Sequence, residues 1–319
     1  KTRVFSAAPL HFSVLFRKYF LGFIAYVSRS RYTNESAVGT NVYSTDWSII
    51  ARRMAQFSNM TDGDFENFDG TVNYYLFDKI LNIVNDFYAD GEQNALVRSM
   101  IWESLTRAGH ILHSFVYLMS HGQPSGNPGT APFNSIYVSL VIRYVLGQMG
   151  FHPRSFNTHF RLTTYGDDFF LSFSNGIELN LEEFTDKFQT IGMRVTDSGK
   201  QSKCVMKRLS DISFLKRKFV YDGDYDWWFA PLAIESIIES CNWVKTSLPN
   251  KRATLDNILM AQYELFHHDE DTYNRVKDAI QQALRENNVG AVIWKPWKAG
   301  RLAISNGDIM DEISSMVCV

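Results

Sequence analysis

Four consecutive residues, Tyr165-Gly166-Asp167-Asp168, restrict the architectures open to this chain more than any other stretch. Before them runs Phe160-Arg161-Leu162-Thr163-Thr164, and after them Phe169-Phe170-Leu171-Ser172-Phe173-Ser174. Both flanks are rich in β-branched or aromatic residues, and the second alternates apolar and polar partway along, as strands do. A Gly-Asp pair between two such runs reads as a tight hairpin turn, because glycine tolerates positive φ. The hairpin would hold two adjacent carboxylates at its tip. Like charges that close repel, so something must compensate them. A divalent cation would do so, since hard cations take carboxylate oxygens. An acidic turn on a surface hairpin accounts for the same four residues, and the rest of the chain has to decide.

At 319 residues the chain exceeds one ordinary core, so two or three subdomains are expected. Apolar residues at 45% and aromatics at 14% supply ample core for them. The formal net charge of −2 gives no global electrostatic sign of a nucleic-acid partner, although acidic residues elsewhere can balance a basic channel. The cysteines Cys204, Cys241 and Cys318 are scattered, which points to a reducing compartment and to no zinc site. The best apolar runs are broken by Arg17-Lys18 and by Arg143. A span needs about 20 apolar residues, so none is expected here. No signal-peptide pattern is visible. The chain opens on Lys1-Thr2-Arg3, without an initiator methionine, in what reads as structured sequence; a piece of something longer is expected.

In chain order, Leu15, Phe16, Tyr19, Phe20 and Phe23 recur at helical spacing, with Arg17 and Lys18 on a solvated face. A helix from Trp47 to Phe57 precedes the segment Asn59 to Gly70, and Phe77, Ile80, Leu81, Val84 and Phe87 mark an amphipathic helix after it, ending near Gly91. Asp64 and Asp69 are therefore expected in the connection, where ligand-binding groups collect; a helix-capping loop explains them equally. The run His121 to Thr130 is a loop by composition. A strong helix follows from Phe133 to Gln148, with Pro132 in its first turn and Gly150 ending it. A Gly-rich loop entering a helix can approach phosphates or sugars closely. Leu181 to Ile191 reads as a helix, and Ile212 to Val220 as a strand with a basic middle. Helical patterns dominate beyond Pro231; Trp227 and Trp228 read as core, and His267-His268 as surface.

Taken together and in order, these segments resemble the RNA-dependent RNA polymerases of positive-strand picorna-like viruses. Lys1-Thr2-Arg3 is similar to the end of the basic fingers motif that meets the incoming triphosphate. Asp64 through Asp69 resembles the first palm motif. Ser125-Gly126 through Thr130, with Asn134, resembles the second. Tyr165-Gly166-Asp167-Asp168 is similar to the third. Lys200 ends a segment like the fourth, and Phe214-Leu215-Lys216-Arg217 is similar to the fifth, which grips the primer. The segment Pro231 to Trp243 and the helices after it look closer to insect, plant or marine picorna-like viruses, of dicistrovirus or iflavirus type.

The resemblance implies an α+β right-hand polymerase: an antiparallel palm sheet backed by helices, a mostly helical thumb and partial fingers. It divides the chain into a fingers remnant (1–22), palm (23–103), a fingers segment (104–121), palm again (122–220) and thumb (221–319). It implies RNA-templated RNA synthesis by two-metal transfer of nucleotides to a primer 3′-hydroxyl, with Mg2+ as cofactor and Mn2+ as a substitute. Asp64, Asp167 and Asp168, with the Phe65 backbone carbonyl, are the implied metal ligands, and Lys200 is the implied general acid. Lys1 and Arg3 would neutralise pyrophosphate. Asp69, Ser125, Gly126, Thr130 and Asn134 would bind the nucleotide, and Lys216 and Arg217 the primer RNA. Asp69 and Asn134 resemble the pair that reads the ribose 2′-hydroxyl, a group that donates and accepts. The implied partners are template and primer RNA, nucleoside triphosphates, a protein primer and other viral replication proteins, in the host cytoplasm at membrane-associated complexes. A reverse transcriptase is a rival reading, but those enzymes usually place a bulky side chain at the sugar's 2′ position, where polar Asp69 and Asn134 stand here. A catalytically silent RNA-binding fragment is another, since most of the fingers is missing from the pattern and little activity is expected of these residues alone.

Overall fold

The computed structural model describes residues 5–118, 121–199, 203–244 and 250–309. The chain runs α1 (Leu10–Arg29), α2 (Asp46–Met54), β1 (Asn59–Phe65), α3 (Tyr74–Tyr88), α4 (Glu92–Thr106), β2 (Gly109–Leu112), β3 (Phe115–Leu118), α5 (Thr130–Gln148), α6 (Phe156–His159), β4 (Phe160–Tyr165) and β5 (Asp168–Phe173). It continues with α7 (Leu181–Lys187), β6 (Val195–Thr196), β7 (Val220–Asp222), β8 (Trp227–Phe229), α8 (Ile234–Ser240), α9 (Asn250–Leu265), α10 (Glu270–Glu286) and α11 (Trp297–Asn306). This mixture of helices and antiparallel strands is the expected α+β class. Two compact units divide it: Lys1–Thr40 with Arg53–Arg208, and Asn41–Arg52 with Leu209–Val319.

In the first unit the sheet order is β4-β5-β1-β6. The β4–β5 hairpin is paired from Phe160↔Phe173 to Tyr165↔Asp168. β1 runs antiparallel to β5 from Asn59↔Phe173 to Gly63↔Phe169, and to β6 through Asp64↔Thr196. Phe169 to Phe173 are all buried, so both faces of β5 are covered, and the run therefore alternates only partway. The β1–β5 contact is close: a Cβ on Gly63 would lie 2.5 Å from Cζ of Phe169. The helices α1, α3, α4 and α5 share an aromatic core in which Phe16, Phe20, Phe77, Trp102 and Phe133 are buried. Trp102 stacks on Phe77 at 4.6 Å and meets Phe133 edge-on at 5.1 Å.

Several expectations need correction here. Asp64 lies in strand β1, not in the connection after it; pairing on both sides overrides the weak strand preference of Asp and Gly. Only Asp69 occupies the connection, in a single 3-10 turn, Phe68–Gly70. The helix after it stops at Tyr88, with Ala89 left-handed at φ 44°, and Gly91 opens α4. Leu181 to Ile191 is a helix only to Lys187, then a 3-10 turn. By length and composition α1 could cross a membrane, against expectation. Its residues Phe16, Phe20, Phe23 and Val27 are buried in the first unit, whereas Leu10, Val14, Leu15, Leu21 and Tyr26 are exposed.

The second unit corrects two more. Residues 212–220 are not one strand. Phe214 and Arg217 exchange both backbone hydrogen bonds, at 3.0 and 2.9 Å, across a tight turn. Leu215 and Lys216 at its tip have φ of 53° and 61°. The bidentate bond of Arg217 to Glu264, 2.8 Å at each nitrogen, and its donation to the Ala230 carbonyl turn the chain inward here. His267 is buried, not a surface residue: Nδ1 accepts from the Ala230 amide at 3.2 Å. Burial first, then the nearby Arg217, His268 and Arg301, hold it well below the usual histidine range. His268 is half-buried, and burial lowers it as well. Trp227 is buried and Trp228 half-buried, as expected of core residues.

Candidate active site

The carboxylates of the hairpin and of β1 meet at one end of the sheet. Tyr165 pairs with Asp168, so Gly166 and Asp167 are the two turn residues. Gly166 has φ +61°, the left-handed conformation that favours glycine. The β1–β5 register ends at Gly63↔Phe169, and Asp64 and Asp168 are the chain neighbours of those two residues at this end. Asp64, Asp167 and Asp168 are all half-buried, and so open to a ligand. Phe65 ends β1 beside Asp64, its ring packed on Phe68 and Phe169.

A second cluster forms beside them. The Asp69 carboxylate accepts from the Ser125 hydroxyl through Oδ2 and from Nδ2 of Asn134 at 3.2 Å through Oδ1. Its backbone carbonyl accepts from the Gln123 amide at 2.8 Å. Ser125 and Asn134 lie 56 and 65 residues from Asp69, so the fold alone brings the three together. Among the described residues, Oδ1 of Asn134 is buried with no partner, an acceptor left over for a ligand. Gly126, at φ +104°, shapes the loop after Ser125; Thr130 begins α5 and donates to the Pro124 carbonyl at 3.4 Å.

One helix serves both clusters. Asn134 of α5 reaches Asp69, while Oγ of the next residue, Ser135, accepts from the Gly166 amide at 2.8 Å and donates to the Ala131 carbonyl at 2.7 Å. Ser135 escaped the sequence reading, although a hydroxyl in an otherwise apolar stripe was a signal. Asp62 also escaped it: buried, two residues before Asp64, it accepts from Nζ of Lys207 at 2.5 Å and from Ser198 Oγ at 2.9 Å.

Lys1, Arg3 and Lys200 lie outside the described residues. Lys216 is exposed at its turn tip in the second unit, and Arg217 is committed to Glu264 and the Ala230 carbonyl. Among the described residues, no group of three His, Cys, Asp or Glu side chains is placed to hold a metal ion by itself. Paired all-oxygen donors without a closed cage fit magnesium, which is usually held by one or two carboxylates plus substrate phosphates and retained waters.

Comparison with known proteins bears directly on this arrangement. Residues 1–284 match the family model described as viral RNA-dependent RNA polymerase. The chain is 37% identical over 303 residues to the replicase polyprotein of acute bee paralysis virus, covering 90% of this chain and 16% of that polyprotein. It is 35% identical over 303 residues to the replicase polyprotein of cricket paralysis virus, covering 88% and 17%. It thus spans about a sixth of the length of these relatives. Among solved structures, the Sicinivirus 3Dpol RNA-dependent RNA polymerase superposes with a TM-score of 0.79 at 22% identity, covering 93% of this chain and 61% of that one. The right-hand polymerase fold is therefore the fold of these residues. With its acidic hairpin, its paired Asp64 and its Asp69–Asn134 cluster, the chain belongs to the viral RNA-dependent RNA polymerase family.

Proposed function

We propose that these residues form the catalytic part of an enzyme that copies an RNA template, adding nucleoside triphosphates to a primer 3′-hydroxyl by two-metal nucleotidyl transfer. The observation that carries this reading is the convergence of Asp69, Ser125 and Asn134 beside the sheet end bearing Asp64 and Asp168. Nucleotidyl transfer is mostly positioning plus electrostatics, and this end offers both. Asp64, Asp167 and Asp168, with the Phe65 carbonyl, would hold Mg2+ ions. Bound there, they would supply Lewis-acid stabilisation of the attacking and leaving oxygens; Mn2+ suits the same donors.

The chain's own residues do the rest. Asp69 is held by Ser125 and Asn134 so that a ribose hydroxyl can meet the unpartnered Oδ1 of Asn134. A buried acceptor without a donor favours a sugar that brings one. Thr130 and Gly126 line the approach from the loop. Lys200 would deliver a proton to the departing pyrophosphate, with Lys1 and Arg3 offsetting its charge. Lys216 stands free to meet a primer backbone, whereas the pairing of Arg217 with Glu264 gives it a structural part. Template and primer RNA and nucleoside triphosphates follow as partners.

The test is primer extension on an RNA template with Mg2+, using the complete polymerase that contains these residues. Incorporation of ribonucleotides is expected. Tight RNA binding with no incorporation would make the chain a silent scaffold, and preferential use of deoxynucleotides would make it a reverse transcriptase.

A further inference from the structure

Ser198, two residues past β6, and Lys207, bridged to β1 at Met60, both hang on the Asp62 side chain. At the start, Ser198 donates to Asp62 through its amide, 3.3 Å to Oδ1, and through Oγ, 2.9 Å to Oδ2. At the end, Nζ of Lys207 donates to Asp62 Oδ1 at 2.5 Å and to Ser198 Oγ at 3.1 Å. The backbone repeats the closure: Lys207 and Met60 exchange amide–carbonyl bonds of 2.7 and 3.2 Å. In between, Lys203 is tied to Glu182 and Asp186, and the Cys204 amide donates to Thr185 Oγ1. Side chains at i and i+2 of a strand share a face, so the closure sits on the same face of β1 as Asp64.

Burying this ion pair is costly. The Asp62 side chain is 1% exposed and Lys207 14%. Desolvating two charges often costs as much as their attraction returns, and an apolar pair of equal volume is commonly as stable. What an apolar pair cannot do is hold the Ser198 amide and hydroxyl. The chemistry at this position therefore suits placement better than stability.

We propose that Asp62, with Lys207 and Ser198, is a positioning device that fixes Ser198 and Lys207 against the strand carrying Asp64. The inference rests on the reading of these residues as a polymerase active site, and Lys200 lies two residues beyond the clamped Ser198. A misplacement of about 1 Å can cost on the order of 100-fold in rate. Breaking the clamp is therefore expected to slow nucleotide addition and spare nucleotide and RNA binding.

The experiment uses the complete polymerase and the variants Asp62→Asn and Asp62→Leu/Lys207→Met. Two readouts are taken: single-turnover incorporation against nucleotide concentration, and amide hydrogen exchange. Both variants should lose about 10- to 100-fold in the maximal rate constant, with the apparent nucleotide Kd within about threefold of wild type. Amides of residues 197–199 and 203–207 should exchange at least about tenfold faster, with α3 and α5 unchanged. The double variant separates placement from stability, because it restores apolar packing without restoring the bonds to Ser198. Wild-type rate in the double variant, or unchanged exchange in the clamped segment, would overturn the proposal. Exchange is read without turnover, so a protein that does not polymerise would refute the functional reading and leave the clamp still tested.

Discussion

The side-chain amide of Asn134 donates to Oδ1 of Asp69 at 3.2 Å, across 65 residues of chain. Asp69 also holds Ser125, so a carboxylate, an amide and a hydroxyl form one cluster five residues downstream of Asp64. A site built to bond a hydroxyl can reject an analogue lacking it by up to about 10⁴–10⁵. Asn134→Ala should lower kcat/KM for ATP more than for dATP, and Asp69→Ala should do so more severely. The ATP to dATP ratio in wild type and both variants is the measurement. An unchanged ratio in both would separate the cluster from sugar selection.

Asp64→Asn and Asp167→Asn should each abolish nucleotide incorporation by the complete polymerase. Losing one stabiliser of developing charge commonly costs about 100- to 1000-fold, and losing a metal-holding carboxylate should cost at least that. Near-normal extension by either variant, with circular dichroism unchanged, would remove that residue from the chemistry.

Lys200→Ala should slow single-turnover incorporation by about 100- to 10,000-fold, the usual range for a general acid. RNA and nucleotide binding should persist, and the solvent isotope effect should shrink. A rate constant that hardly moves while chemistry is limiting would make Lys200 a loop lysine.

Ser135→Ala removes the acceptor of the buried Gly166 amide. An unsatisfied buried donor costs about 1–3 kcal/mol. A lowered melting temperature is expected, together with a slower rate and no change in the ATP to dATP ratio. A variant with wild-type melting and rate would show that the hairpin tip needs no such anchor.

His267 gives the second unit a pH dependence. Its folded value lies below the ordinary 6.5, so the native state binds fewer protons than the unfolded chain. The stability it contributes is present above pH 6.5 and is lost as pH falls from there toward the folded value. The slope is at most about 1.4 kcal/mol per pH unit in that window. His268 acts in the same direction. His267→Asn keeps an acceptor for the Ala230 amide, so it should lose less stability between pH 7.5 and 5.5 than wild type in urea titrations. Equal losses would mean that His267 is protonated in the folded chain.

Much of the site was legible because its chemistry sits in short stretches. The hairpin and the Gly-rich loop entering α5 stand where the residue types suggested, and Asp69 and Asn134 are hydrogen-bonded as the pair that the resemblance implied. The failures share a cause in long-range contacts. Asp64 read as loop because Thr-Asp-Gly-Asp has weak strand preference, yet β5 pairs the strand up to Gly63 and β6 pairs Asp64 itself. The run at 212–220 has a strand's composition, but Arg217 reaches Glu264, 47 residues on, and the chain turns at Leu215-Lys216. His267 was sorted as surface for want of neighbouring ligand types; its neighbours are Tyr43 and Phe229, distant in sequence.

Gly63 leads to one more consequence. At this position β1 lays a bare Cα against the ring of Phe169, and even a methyl group would collide with that ring. The two strands thus pack side chain against bare backbone at the residues next to Asp64 and Asp168. A larger residue at Gly63 would have to displace the buried Phe169 ring beside both carboxylates, so a change inside the core would reach the site without altering any residue of it.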